Sequence, residues 1–160
     1  MLTKFYIPHV LLQEFVNCIM VVHAEMNADD PAVVCYPPTP QHSLFFYIND
    51  RIKVQKEGET DFILQPRSVV VGLQSSTVSL DIGKSHKAVR VGFHPGGMYR
   101  LLGFSMLEMI DGSYDAADVF GNEIQEVNNR LQEAGSFDEI KEVIEEFLLM
   151  KLKLLKRALP

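Results

Sequence analysis

The stretch Val89–Gly103, VRVGFHPGGMYRLLG, decides the fold because the spacing of its apolar residues changes halfway along it. Its first part alternates between apolar and polar side chains, as a strand does, whereas the apolar residues of MYRLL have the spacing of one helical face. Pro95 removes a backbone donor, and Gly96 and Gly97 can adopt backbone angles that are closed to other residues. The stretch therefore predicts a corner at which a strand ends and a short helix begins.

Short runs rich in β-branched and aromatic residues precede this corner. They are CIMVVHAEM, AVVCY, SLFFYIN, RIKVQKE, DFILQ, SVVVGL, TVSLDI and KAVRVGF, and turn-forming clusters separate them. Strands at a regular spacing of roughly ten residues are typical of an all-β barrel or sandwich. Ahead of them, IPHVLLQEFVN predicts a brief helical turn.

Helical periodicity follows the corner. Residues 122–134 place Ile124, Val127 and Leu131 on one face, and the SFDE capping box at Ser136 predicts the start of a long helix. We therefore predict an α+β chain, with an antiparallel β-barrel and its short closing helix at 1–110 and a helical segment at 111–160.

The long C-terminal helix carries two apolar rows, more than one core-facing stripe requires. One row is Val143, Phe147, Met150 and Leu154, and the other is Ile144, Leu148, Leu152 and Leu155. The helix at 122–134 could cover both rows within one subunit. The alternative is a homodimer interface, for which we predict Phe147, Leu148, Leu152 and Leu155.

Composition limits the possible functions. The chain has 160 residues and a formal net charge of −6, which disfavours binding of nucleic-acid phosphates by the surface as a whole. Its two cysteines lack the spacing of a zinc or redox motif and suggest thiols in a reducing compartment. Polar residues interrupt the N-terminal apolar run before it could form a signal core or a membrane span. We therefore expect a cytoplasmic protein that makes no membrane contact.

No motif indicates catalysis. The five histidines, at positions 9, 23, 42, 86 and 94, never stand two or four residues apart, so no pair has the local spacing of a metal site. There is no Gly-x-Ser-x-Gly nucleophile elbow, and the glycines of the corner lack the spacing of a phosphate or dinucleotide loop. We expect no enzymatic activity, no metal and no cofactor.

The order of these motifs strongly resembles the N-terminal domain of AraC-type transcriptional regulators, over nearly the whole chain. A Val-x-Phe-x-Pro-Gly-Gly phrase followed by Leu-Gly closes a cupin-like barrel in that family, and an Asp-x-Phe-Gly phrase introduces its helices. The positions matching the first phrase are Val91, Phe93, Pro95, Gly96, Gly97, Leu102 and Gly103, and those matching the second are Asp118, Phe120 and Gly121. Within the first phrase, we expect Phe93, Pro95, Gly96, Gly97 and Gly103 to be structural.

This resemblance implies a regulatory domain that senses a small effector or dimerises, with DNA bound only through a helix-turn-helix domain that this sequence does not contain. Candidate effector-binding residues are strand positions with polar tips on apolar bodies, namely His23, Tyr36, His42, Tyr47 and Arg90. Ordinary packing of the same side chains is the alternative for each. Two other functions stay open at this point: a metal-dependent cupin-type enzyme and a purely structural dimerisation module.

Overall fold

The computed structural model describes residues 1–30, 32–103 and 110–158. Its strands are β1 Leu2–Tyr6, β2 Val16–Glu25, β3 Val33–Tyr36, β4 Ser43–Tyr47, β5 Lys53–Gln55, β6 Ile63–Leu64, β7 Ser68–Val71, β8 Val78–Asp81, β9 Ser85–Phe93 and β10 Ser113–Asp115. Its helices are α1 Gly97–Leu102, α2 Ala116–Phe120, α3 Asn122–Glu133 and α4 Phe137–Ala158, and a single 3-10 turn lies at Val10–Leu12. The prediction of antiparallel strands followed by helices is confirmed.

The strands form two antiparallel sheets. The large sheet has six strands in the order β1-β2-β9-β4-β7-β10, and the small sheet has four in the order β3-β8-β5-β6. In the described part of the chain no strand ladder joins one sheet to the other, so the sheets are not closed into the predicted barrel. The arrangement is an open two-sheet sandwich.

The large sheet is buried on both faces, which gives the molecule three layers. One face carries Val21, Leu44 and Val89 and packs against the helices in the main core. Residues of opposite parity, among them Val22 and Tyr47, pack against the small sheet in a second core. Because successive side chains of a strand point to opposite faces, parity decides which layer a residue contacts. We call these the helix face and the inter-sheet face.

A tight turn forms the corner after β9. The Gly97 N–H donates to the His94 carbonyl oxygen at 2.8 Å, and Gly96 lies in the left-handed region with φ of 75°. Proline second and a left-handed glycine third are the features of a type II turn, here formed by His94, Pro95, Gly96 and Gly97. Gly103 ends α1, also left-handed at φ of 80°, with its N–H donating to the Tyr99 carbonyl.

Helices α3 and α4 form the outer layer on the helix face. Ile124, Val127 and Leu131 of α3 are buried together, as their spacing predicts. The Asn128 side-chain oxygen accepts a hydrogen bond from the Ser68 hydroxyl at 2.6 Å, which joins α3 to β7. This bond satisfies two buried polar groups at the boundary between sheet and helices.

The apolar rows of α4 are covered mainly within the subunit. Phe147, Leu148 and Leu152 are 8, 0 and 5% exposed and lie in the main core, and Leu155 packs against that core while partly exposed. Three of the four residues predicted for the interface, Phe147, Leu148 and Leu152, are therefore not available as a surface in this fold. Met150 and Leu154, 54 and 48% exposed, are the apolar side chains that α4 presents outward.

The predicted division between residues 110 and 111 does not separate strands from helices. Strand β10 follows it and pairs with β7, Ser113 opposite Val71, at the edge of the large sheet. Among the described helices, none has the length and apolar character needed to cross a membrane.

Candidate functional site

The space between the two sheets contains two neighbouring cavities, of about 410 Å³ and about 240 Å³. Both cavities are lined by Tyr36, Phe45, Tyr47, Ile52 and Leu80, so the same side chains form the partition between them. We call the two cavities together the inter-sheet cleft. Small-molecule sites are typically concave, mostly apolar and equipped with a few polar groups, and the cleft has that character.

Three aromatic side chains form the partition. The rings of Phe45 and Tyr47, which are two residues apart on β4, stack with centroids 5.9 Å apart and planes inclined by 12°. Tyr36 of β3 meets Phe45 edge-on at 6.3 Å and 76°, which links the two sheets. Burial, with a smaller effect of Tyr36, raises the pKa of Tyr47 far above its ordinary value, so this phenol stays protonated.

Among the described residues that line the smaller cavity, Arg90 is the one with a cationic side chain other than histidine. It lies on the inter-sheet face of β9, opposite Phe45 of β4 and Met20 of β2. Its Nη2 donates to the Gln41 side-chain oxygen at 2.7 Å, and its guanidinium carbon lies 5.9 Å from the centre of the Phe45 ring. Among the described residues, its Nε–H is buried without a hydrogen-bond acceptor, and no carboxylate pairs with the guanidinium.

His86 lies four residues before Arg90 on the same face of β9 and also lines the smaller cavity. Burial lowers the pKa of its imidazole, and Asp50 opposes this effect only in part. The Nδ1 atom is buried and has no hydrogen-bond partner in the described part of the chain. His86 therefore offers the cavity a neutral group that can donate or accept a hydrogen bond.

The larger cavity has a polar side. Polar and charged residues that line it include Lys56, Glu57, Glu59, Gln65, Gln74, Ser76, Asp111 and Ser113. Asp111 is held by Ser75, whose N–H donates to Oδ1 at 2.7 Å and whose hydroxyl donates to Oδ2. These two bonds lower the pKa of Asp111 below its ordinary value, so the carboxylate is charged at neutral pH. The cleft thus has an acidic, polar end and an apolar end with an arginine.

Of the five predicted effector-binding residues, the structure brings Tyr36, Tyr47 and Arg90 together in the cleft. His23 has the parity of the helix face, lines neither cavity, and pairs with Glu25 at 2.8 Å. His42 is 3% exposed and also lines neither cavity. These two histidines are therefore not part of this site.

Sequence reasoning missed Phe45 and His86. Phe45 is two residues before Tyr47, and His86 is four residues before Arg90, so strand alternation from the two predicted positions could have found both. In the described part of the chain, no group of three or more His, Cys, Asp or Glu side chains is placed to hold a metal ion.

Fold and site together define an open antiparallel two-sheet domain with a helical layer and a cleft between its sheets. Residues 4–115 match the family described as Domain of unknown function (DUF6597), and the chain belongs to this family. The matched region contains nearly all of both sheets and every residue of the inter-sheet cleft except Met1 and Thr3. No curated protein shows significant similarity to the chain.

The solved structures with a distant likeness to the chain include the following three. A Vibrio parahaemolyticus protein of unknown function (targeted domain 2-94) has a TM-score of 0.41 and 11% identity, over 56% of this chain and 83% of its own. A candidate ethanolamine utilization protein Q from Salmonella typhimurium has a TM-score of 0.41 and 10% identity, over 57% of this chain and 67% of its own. A candidate mannose-6-phosphate isomerase from Ralstonia eutropha has a TM-score of 0.39 and 13% identity, over 57% of this chain and 82% of its own. At these TM-scores the likeness supports no conclusion on fold or function.

Proposed function

We propose that this chain is the effector-binding domain of an AraC-type transcriptional regulator, with a cupin-like fold whose sheets are open, and that it binds a small molecule in the inter-sheet cleft. The cleft itself is the observation that carries the proposal. Its aromatic partition offers an apolar surface, and Arg90 Nε and His86 Nδ1 offer polar atoms without a partner among the described residues, which a ligand could satisfy. The domain is then a non-catalytic sensor in the cytoplasm, and its free cysteines, Cys18 and Cys35, agree with a reducing compartment.

The layered fold offers a route from ligand to output. The cleft lies on one face of the large sheet, and α4 packs on the other face, so both contact the same strands. Strand β1 connects them most directly. Thr3 lines the smaller cavity, whereas the neighbouring Lys4 Nζ lies 3.2 Å from Asp138 Oδ1 on α4. A ligand that moves β1 would therefore change the contacts of α4.

The test of binding is a thermal-shift screen of small metabolites against the full chain and a variant with an obstructed cleft. Leu80→Trp adds bulk at a residue that lines both cavities, and Leu11→Trp makes the same change at an exposed position outside the cleft. Compounds that raise the melting temperature of the wild type and of Leu11→Trp, but not of Leu80→Trp, support the proposal. If no compound shifts the wild type, or Leu80→Trp responds equally, the cleft is not the site.

The regulatory part of the proposal has its own measurement. Amide hydrogen exchange should show altered protection in α4 (Phe137–Ala158) when a cleft ligand is bound. A ligand that binds while exchange in α4 stays unchanged would contradict coupling to the helix.

Pairing with a second copy through α4 is also proposed, now through its outward residues Met150 and Leu154. A regulator that reads paired half-sites needs two DNA readers, here on a helix-turn-helix domain outside this chain, at a set separation. Sedimentation of the wild type at tens of micromolar should show a dimer, which Met150→Glu with Leu154→Glu converts to a monomer that keeps its melting temperature. A monomeric wild type would contradict the pairing.

A further inference from the structure

The smaller cavity has an unusual charge distribution. Apart from Arg90, the side chains around it are mostly apolar or aromatic, such as Met20, Val22, Val34 and Ile82. Glu57, Glu59 and Asp111 line the larger cavity and not this one. Arg90 is partly buried, and an arginine without a carboxylate partner in an apolar cavity is uncommon, because charges removed from water are normally paired.

The unpaired donor of Arg90 is costly to the free protein. Its Nε–H has no acceptor among the described residues, and a buried donor without a partner costs about 1–3 kcal/mol of folding free energy. Gln41 accepts from Nη2, so the side chain is held in place while Nε stays unpaired. A planar guanidinium with a free N–H matches a carboxylate, which can accept two parallel bonds.

His86 does not serve the same ligand group. Four residues along a strand separate two side chains of one face by roughly 13 Å, which is too far for one carboxylate to reach both. The anion site is therefore the arginine end of the cavity, and the apolar wall extends from it along β9 towards His86.

From this arrangement we infer that the smaller cavity binds the anion of a small apolar or aromatic carboxylic acid, with the carboxylate on Arg90 and the hydrocarbon body against Tyr36, Phe45 and Tyr47. This inference rests on the proposed function and names the chemical class of its ligand. The stacked rings give a flat apolar surface that suits an aromatic or short aliphatic body. In the larger cavity the carboxylates of Glu57, Glu59 and Asp111 outnumber the one lysine, Lys56, and disfavour a second negative charge, so a monocarboxylate is preferred to a dicarboxylate.

The test uses two pairs of probes that differ only in charge: phenylacetate with phenylacetamide, and octanoate with octanamide. Dissociation constants for the full chain are measured by titration followed with two-dimensional NMR. At least one acid should bind about tenfold to a hundredfold more tightly than its amide, the value of a charge-assisted hydrogen bond.

Variants then assign the charge preference to Arg90. In Arg90→Gln the acid should bind no better than its amide, and Arg90→Lys should retain part of the preference because the charge remains. Arg130→Gln is the matched control, since it removes the same charge from an arginine that pairs with Glu146 on the helical side. Thermal unfolding of each variant shows that it is folded before it is titrated.

The failures can be told apart. If acid and amide bind equally, or Arg90→Gln keeps the preference for the acid, the inference is overturned while binding in the cleft stands. If no probe binds but other compounds stabilise the wild type and not Leu80→Trp, the inference is overturned while the proposed function stands. If nothing binds the cleft, the proposed function fails with it.

Discussion

Gly97 should tolerate no side chain at all, for a reason that differs from the one at its neighbour Gly96. A Cβ added at Gly97 would lie 2.9 Å from the carbonyl carbon of Phe15, 3.1 Å from its Cα, and closer still to its carbonyl oxygen. An ordinary contact begins near 3.4 Å, so all three backbone atoms would have to move. Gly97 is therefore required because two backbone segments approach closely.

The cost of Gly97→Ala follows from what this movement disturbs. The Phe15 carbonyl accepts the His94 N–H at 2.9 Å, and the net value of that bond is about 0.5–1.5 kcal/mol. Forcing extra volume into a packed region costs about 1–3 kcal/mol more. We expect Gly97→Ala to lower the free energy of unfolding by about 2–4 kcal/mol, or the melting temperature by roughly 5–15 °C.

Gly96 is the matched control because it lies next to Gly97 but has open space around it. No atom lies within 4 Å of a Cβ added there, and its φ of +75° is the only obstacle. Gly96→Ala should cost about 1–2 kcal/mol, and Gly96→Asn less, since asparagine tolerates the left-handed region. Urea unfolding of the three variants measures these differences. The reasoning is refuted if Gly97→Ala is as stable as wild type or is less damaging than Gly96→Ala.

Three further predictions concern the core, a buried polar pair and pH. Leu148→Ala should cost about 2–5 kcal/mol because it leaves a cavity in the main core, whereas Lys153→Ala at an exposed position of the same helix should stay within about 0.5 kcal/mol. Equal costs in urea unfolding would contradict the burial of Leu148. Ser68→Ala should cost about 1–3 kcal/mol because Asn128 loses its buried partner. The double variant Ser68→Ala with Asn128→Ala should cost less than the sum of the two single variants, because both remove the same hydrogen bond. Burial lowers the pKa of His86, so the unfolded chain binds more protons than the folded one, and the free energy of unfolding should fall as pH drops below about 6.5. Between pH 7.5 and 5.5, the melting temperature of His86→Phe should fall less than that of the wild type.

Much of the strand order could be predicted from the sequence because each strand is a short β-branched or aromatic run between turn clusters. Each of the eight predicted runs overlaps one strand, from β2 to β9. The two missed strands, β1 and β10, are the edge strands of the large sheet, and all their residues are at least partly exposed. Strand β1 has strand-like composition in Thr3, Phe5 and Tyr6, whereas β10 has only three residues, too few to show a pattern. The sequence could not show that the strands form two separate sheets instead of a closed barrel, because alternation along a strand contains no information on which strands pair at the edges.

The candidate site was only half predictable, for a related reason. A sheet covered on one face shows clear alternation between apolar and polar residues, and the parity of a strand can then be read from the sequence. The large sheet is covered on both faces, so β2 reads as a nearly continuous apolar run through Val21 and Val22, and its parity is hidden. The sequence therefore predicts His23 as an effector-binding residue although its parity is that of the helix face. Arg90 is the single cation along β9 that shares the parity of the inter-sheet face, and only the position of the small sheet shows that this face is a cleft.

The same double coverage explains the width of the apolar surface on α4. Reasoning from an isolated helix, a second apolar row requires a partner outside the subunit, since one flat neighbour covers only one stripe. Here α4 contacts β2, α1 and α3, and Ile144 and Leu148 are fully buried without a second copy. The apolar surface that remains is small and lies near the C-terminal end, at Met150 and Leu154. Any self-association through the apolar surface of α4 therefore has to use the half of the helix that is farther from the capping box at Ser136.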